Sequence, residues 1–199
     1  MRQLFITGTD TDCGKTYVTC KLLKNFKDNG YKIHGLKPVA SGGLQDILAI
    51  SACNANDLPV CYVNYAQPIA PHLAAENMGH TLRIDDIVTF CNNPQYLAMD
   101  YVIIEGAGGL LVPLNTTETW IDFIQQANIS VLLVVGIRLG CINHALLTSY
   151  VLQAHKIHCI GWVANCIQSD MAGLQENITS LMARLPYPHL AKVLHWQRG

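Results

Sequence analysis

The stretch "GTDTDCGKT", Gly8 to Thr16, combines glycines, a lysine and a threonine in the manner of a loop built to hold phosphate. Successive backbone amides of such a turn, feeding the start of a helix, cradle phosphate oxygens. Lys15 would reach the β and γ phosphates, and the Thr16 hydroxyl would face Mg²⁺. The usual pattern leaves four residues between the glycines, whereas five separate Gly8 from Gly14 here. The alternative reading is a plain strand-to-helix turn with an incidental lysine. A second block, "LKPVASG", sets Lys37 beside Pro38 and before Ser41, Gly42 and Gly43. A loop lysine is usually solvated. Opposite a phosphate loop it could instead clamp a transferring phosphate or an anionic substrate. Asp46 follows, where its plain role is to favour a helix start. A third block, "VIIEGAGG", ends an apolar run on Glu105. That carboxylate could hold Mg²⁺ directly or through water, or it could be an exposed turn residue. Gly106, Gly108 and Gly109 would let backbone approach a ligand closely.

These blocks need elements that end where they begin. "RQLFIT", "YKIHGLKP", "DYVIIEG", "ISVLLVVG" and "CIGWVANC" read as strands. Between them "KTYVTCKLLKNFKDNG", "LQDILAISAC", "PHLAAEN", "RIDDIVTFCNN", "TETWIDFIQQAN", "NHALLTSYVLQAHK" and "AGLQENITSLMAR" read as helices. Strands separated by helices imply parallel pairing with right-handed crossovers. The expected fold is one α/β domain over residues 1–199, a doubly wound and mainly parallel sheet with helices on both faces. Ligands of such sheets bind beyond the carboxyl ends of strands. Each block above follows a strand, as do "GIRLGCIN" and Asn165.

Composition narrows the partners. A net charge of −1 from 13 basic and 14 acidic residues, with no basic cluster, argues against nucleic acid. The longest apolar run, "ISVLLVVGI", is too short to span a membrane, and no export signal precedes "MRQLFIT", so a cytoplasmic protein is expected. Eight cysteines without a C-x-x-C pair read as reduced thiols, most of them small core residues. His155, His158 and Cys159 could form a metal cluster, but their spacing favours a cap-and-core role. Cys13 beside Lys15 reads as redox-sensitive or as merely a tolerated small side chain. Trp120, Trp162 and Trp196 read as core or interface anchors.

Taken together, "TGTDTDCGKT", "KPVASG", "IEGAGG", "LGCINHALLT" and "GWVAN" resemble the dethiobiotin synthetases, from residue 4 to about residue 165. That family's loop has the same long spacing. The resemblance implies an ATP-dependent cyclo-ligase working as a homodimer, with Mg²⁺. It closes a cyclic urea on 7,8-diaminononanoate from CO2, through an N-carbamate and a carbamic-phosphoric mixed anhydride. It implies that Lys15 and Lys37 neutralise the γ-phosphate and carbamate, and that Thr11 and Ser41 donate to them. ATP would be bound by Asp12, Cys13, Gly14, Lys15, Thr16 and Tyr17, with Glu105, Gly106, Gly108 and Asn165. Asn165 would read adenine. Thr16, Asp46 and Glu105 would hold the metal. Ser41 and Gly108 would bind substrate, and Gly140, Cys141, Ile142 and Asn143 its carboxylate tail across the subunit interface. The family commonly has glutamate where Asp12 stands, and many members continue past this carboxyl end through an adenine-covering segment. The competing class is a nucleotide switch of the same fold, such as the partitioning ATPases. Those carry an early loop lysine, where this chain has Thr7, Gly8 and Thr9. The cobyrinate-type amidotransferases share the loop but add a glutaminase domain, for which 199 residues leave no room.

Overall fold

The computed structural model describes residues 1–168 and 170–194; Trp196 lies outside them. Six strands form one parallel sheet: β1 (Arg2–Gly8), β2 (Ile33–Leu36), β5 (Tyr101–Glu105), β6 (Ser130–Gly136), β7 (Cys159–Cys166) and β8 (His189–Leu194), in the order β2-β5-β1-β6-β7-β8. β3 (Val39–Ser41) and β4 (Val63–Tyr65) pair in parallel as a separate two-stranded sheet. The helices are α1 (Lys15–Asp28), α2 (Gln45–Cys53), α3 (Pro71–Asn77), α4 (Ile84–Cys91), α5 (Trp120–Ala127), α6 (Cys141–Ala154) and α7 (Leu174–Arg184), with a 3₁₀ turn at Pro94–Tyr96.

Alternation along the strands builds two apolar layers. Phe5, Leu36, Val102, Ile104 and Leu133 join Trp120, Phe123, Ala145 and Leu181 on one face. Ile6, Ile33, Ile103, Leu132 and Val163 meet Val18, Leu23 and Ile50 on the other. Helices therefore cover both faces, as expected. Trp120 and Trp162 are core residues, 1% and 0% exposed. The Trp120 indole N–H donates to the Ala107 carbonyl at 2.9 Å, which holds down the turn after β5.

Two features exceed the sequence reading. β3 and β4 were not foreseen, because three-residue strands carry no readable period. β8 was also missed. His155, His158 and Cys159 form no metal cluster: the His158 ring pairs with the Ser130 hydroxyl at 3.0 Å, and the buried Cys159 thiol donates to the Gly161 carbonyl. Among the described residues no group of three or more His, Cys, Asp or Glu side chains could hold a metal ion. Nor is any helix among them long and apolar enough to cross a membrane.

Candidate functional site

The loop from Gly8 to Gly14 joins β1 to α1, and its extra residue is absorbed by left-handed backbone at two places. Asp12 takes φ 56° and Gly14, capping α1, takes φ 83°. Aspartate is among the few non-glycine residues that tolerate that conformation. The packing around the loop is tight. A Cβ on Gly136 would lie 2.9 Å from the Cys13 Cα, and one on Gly8 would lie 2.3 Å from the Cys13 Sγ.

Several groups fix this loop. The Lys15 ammonium donates to the Asp10 carbonyl at 2.9 Å, and the Asp10 carboxylate accepts from the Thr11 amide at 2.7 Å. The same carboxylate pairs with Arg138 from the loop after β6. Asn165, fully buried at the end of β7, donates its amide to the Cys13 carbonyl at 2.8 Å. In this structure Asn165 thus braces the loop and does not line the cleft beside it. Cys13 is likewise buried, at 1% exposure, and its side chain does not line the cleft.

Beside the loop, Glu105 is completely buried. Its Oε1 accepts from the Thr16 hydroxyl and the Lys37 ammonium, both at 2.7 Å. Its Oε2 accepts from the Thr19 hydroxyl at 2.7 Å. Lys37 donates in addition to Asp46 at 2.8 Å and approaches the Gly106 carbonyl at 3.5 Å. The alternative readings of Lys37 as a solvated loop lysine and of Glu105 as an exposed turn residue are therefore excluded. Burial works against the charge on Lys37, but Glu105 and then Asp46 outweigh it, and the ammonium is held above its usual range. For Asp46, burial pushes upward, but the Lys37 charge together with the hydrogen bonds from Lys37 and Thr16 and the Lys15 charge outweighs it, so its carboxyl is held below the usual range. Both therefore stay ionised around neutrality.

These groups open on a cleft of about 530 Å³ lined by Thr11, Asp12, Gly14, Lys15, Thr16, Tyr17, Lys37, Ser41, Asp46, Glu105 and Gly108, with Pro68–Pro71 as the opposite wall. Gly106 is not among the residues lining it. The segment Gly140–Asn143 lies elsewhere, at the start of α6, with Cys141 buried and Asn143 exposed. It does not line the cleft of its own chain. Sequence reasoning missed Thr19, Arg138 and Asp10. Thr19 had a usable signal, since it follows Thr16 by three residues and so shares its helix face.

A phosphate-type loop at the end of the central strand, a buried lysine and carboxylate beside it, and a parallel sheet with helices on both faces define a P-loop nucleotide-binding protein. Solved structures agree at the level of fold. The FtsY protein of Thermotoga maritima superposes with a TM-score of 0.58 at 17% identity, over 98% of this chain and 62% of that one. MinD of Pyrococcus horikoshii, complexed with Mg-ADP, gives 0.61 at 12% identity, over 98% and 81%. A family model described as an AAA domain matches residues 2–196. Among curated proteins, the ATP-dependent dethiobiotin synthetase of Legionella pneumophila is 45% identical over 96% of this chain and 93% of its own length. That of Nitrosospira multiformis is 45% identical over 94% and 85%, and that of Pseudoalteromonas translucida 40% over 96% and 89%. The chain belongs to the ATP-dependent dethiobiotin synthetase family.

Proposed function

We propose that this protein closes the ureido ring of dethiobiotin in biotin biosynthesis, using ATP, CO2 and 7,8-diaminononanoate. The observation that carries this reading is Lys37, buried yet charged between Asp46 and Glu105, on the wall of a cleft that the phosphate loop also lines. A nucleotide switch needs no second lysine there. The reaction must bring two anions together, the γ-phosphate of ATP and the carbamate formed when a substrate amine takes up CO2. Lys15 and Lys37, 6% and 3% exposed, supply positive charge where water screens it little. Thr11 and Ser41 line the same cleft as donors to these groups. The carbamate oxygen attacks the γ-phosphorus and ADP leaves. The second amine then attacks the carbonyl carbon of the mixed anhydride, and phosphate departs with its bonding electrons.

The donor set fits a magnesium ion. The Thr16 hydroxyl, Asp46 and Glu105 are all hard oxygens on one wall, and Mg²⁺ favours one or two carboxylates together with phosphate oxygens. Such an ion, bound with ATP, spreads the charge of the phosphates. Asp12 to Tyr17 then supply the phosphate cradle, with Gly106 and Gly108 giving backbone access on the other side. Asn165 holds the Cys13 carbonyl of that loop and, in this reading, also contacts adenine.

A homodimer supplies what one chain lacks. Gly140–Asn143 is remote from its own cleft, and α6 presents Leu147 and Tyr150, 59% and 74% exposed, with Leu139 beside its start at 94%. Packing that face against a second copy would bury it and offer the α6 amino terminus to a substrate carboxylate. All eight cysteines are free thiols, in keeping with a cytoplasmic enzyme.

The test is incubation with labelled bicarbonate, MgATP and 7,8-diaminononanoate, followed by acid. A carbamate loses its CO2 in acid and a closed cyclic urea retains it. Acid-stable label dependent on both ATP and the diamine is expected. Its absence from folded, ATP-binding protein would defeat the reading and favour the nucleotide switch.

A further inference from the structure

Of the eight cysteines, five are buried and three are partly exposed: Cys20, Cys53 and Cys61. Two of these three sit together. Cys20 lies on α1, and its thiol donates to the Ala49 carbonyl of α2 at 3.6 Å. Ala49 is one helical turn before Cys53, and side chains on a helix lean back over the preceding turn. The Cys53 side chain is thereby directed back toward the Ala49 carbonyl that the Cys20 thiol engages, and Cys53 acts on the Cys20 thiol as a close neighbour. The same end of α2 is pinned to α1 a second time, where the Lys27 ammonium donates to the Cys53 carbonyl at 2.8 Å. Cys61 is alone, its thiol occupied by the Val63 carbonyl at 3.2 Å.

We propose that Cys20 and Cys53 are a redox-active dithiol, which closes to an interhelical disulfide when a disulfide oxidant of the glutathione type is in excess. The Cys53 thiolate attacks one sulfur of glutathione disulfide, the S–S bond breaks, and one glutathione leaves. The Cys20 sulfur then attacks the Cys53 sulfur of the mixed disulfide and expels the second glutathione. Two protein thiols are oxidised, one glutathione disulfide is reduced, and the two protons end on the two glutathiones. The order of attack follows from the surroundings. Burial, then the neighbouring Cys53 thiol, pushes the Cys20 thiol up to about 12. Cys20 therefore holds its proton while Cys53 attacks first. Once Cys53 is capped, its sulfur is the electrophile beside Cys20, and Cys20 becomes the resolving thiol.

The bond would staple two helices that carry the site. α1 bears Lys15, Thr16 and Thr19, and α2 bears Asp46 near its first turn. Neither cysteine touches the cleft. The disulfide thus reinforces the scaffold of the carboxylate–lysine cluster without occupying it, and reduction returns the helices to their non-covalent packing.

The experiment titrates the intact protein in glutathione redox buffers, quenches with acid, alkylates and maps the peptides by mass spectrometry. The expected result is loss of two thiols, with a cross-linked peptide pair containing Cys20 and Cys53. It should come with a rise in Tm of roughly 5–10 °C that a reductant reverses. Cys20→Ser should trap glutathione on Cys53, whereas Cys53→Ser should leave Cys20 unmodified, and both variants should match the reduced wild type in turnover. A mixed disulfide that never resolves in the wild type would overturn the proposal. Oxidation confined to Cys61, or a cross-link between other cysteines, would overturn it as well.

Discussion

Replacing Lys37 with methionine removes one charge and keeps most of the side-chain volume, and the structure dictates two separable losses. The first is in stability. At 2.7 Å and an effective dielectric of about 20, the attraction between Lys37 and Glu105 is about 6 kcal/mol before desolvation is subtracted. Removing the ammonium leaves the carboxylate at 0% exposure, and an uncompensated buried charge costs about 3–5 kcal/mol. The contact with Asp46, whose side chain is 47% exposed, adds less than about 1 kcal/mol, because solvent screens it. The second loss is in turnover. Taking away an electrostatic group that faces developing charge should lower kcat more than a hundredfold, or about 2.7 kcal/mol.

The double variant Lys37→Met/Glu105→Gln separates them. A neutral amide at position 105 still accepts a hydroxyl hydrogen bond and no longer needs a cation. Urea unfolding at pH 7.5 should therefore show at least about 2 kcal/mol recovered relative to Lys37→Met alone, while turnover stays as low or falls further. A double variant no more stable than the single one would refute the reasoning about burial. A single variant turning over within tenfold of the wild type would remove Lys37 from the chemistry.

Three further outcomes follow from particular contacts. Thr19→Val leaves the buried Glu105 Oε2 without its donor and should cost about 1–3 kcal/mol in urea unfolding, with Thr19→Ser restoring most of it; equal stability of Thr19→Val and wild type would contradict the assignment. Burial holds the fully buried His34 below the usual histidine range. The unfolded chain therefore binds this proton more readily, and stability should decline as pH falls below about 6.5. In His34→Gln, whose amide can still donate to the Pro59 carbonyl, the decline between pH 7.5 and 5.5 should flatten, and an unchanged slope would assign it to other groups. Gly136→Ala drives a methyl onto the Cys13 backbone, so it should raise the dissociation constant for ATP measured by calorimetry. Cys13→Ala should not rescue it, because the clash is with the main chain.

The sequence made the large elements legible because their periods are long. Five apolar runs between amphipathic segments leave little but a parallel sheet covered on both faces. β3 and β4 were hidden by their brevity, and "HLAKVL" of β8 alternates too weakly to stand apart from a loop. Within the site, Lys15, Lys37 and Glu105 stood out because each follows a strand, where such sheets bind ligands. Thr19 did not, since a threonine inside a helix is ordinary until a carboxylate is seen above it. Asn165 stood out for its place at a strand end, but the direction of its amide, toward the Cys13 carbonyl, depends on how closely β7 approaches the phosphate loop.

What no spacing could reveal is the neighbour relation that makes Lys37 and Glu105 a pair. They are 68 residues apart, and they meet because β2 lies against β5 rather than against β1, the strand before it in the chain. In that register Leu36 stands opposite Ile104, so the residues that follow them are Lys37, just past the end of β2, and Glu105, the last of β5. β1 on the opposite side places Ile6 beside Glu105, which brings the phosphate loop to the same strand end. Shifting β2 by one residue against β5 would turn Lys37 to the other face of the sheet and leave Glu105 buried without a cation. The register that buries Leu36 and Ile104 in one apolar layer is therefore the same register that sets the lysine on the carboxylate. Packing of the core and assembly of the site are one constraint, satisfied together or lost together.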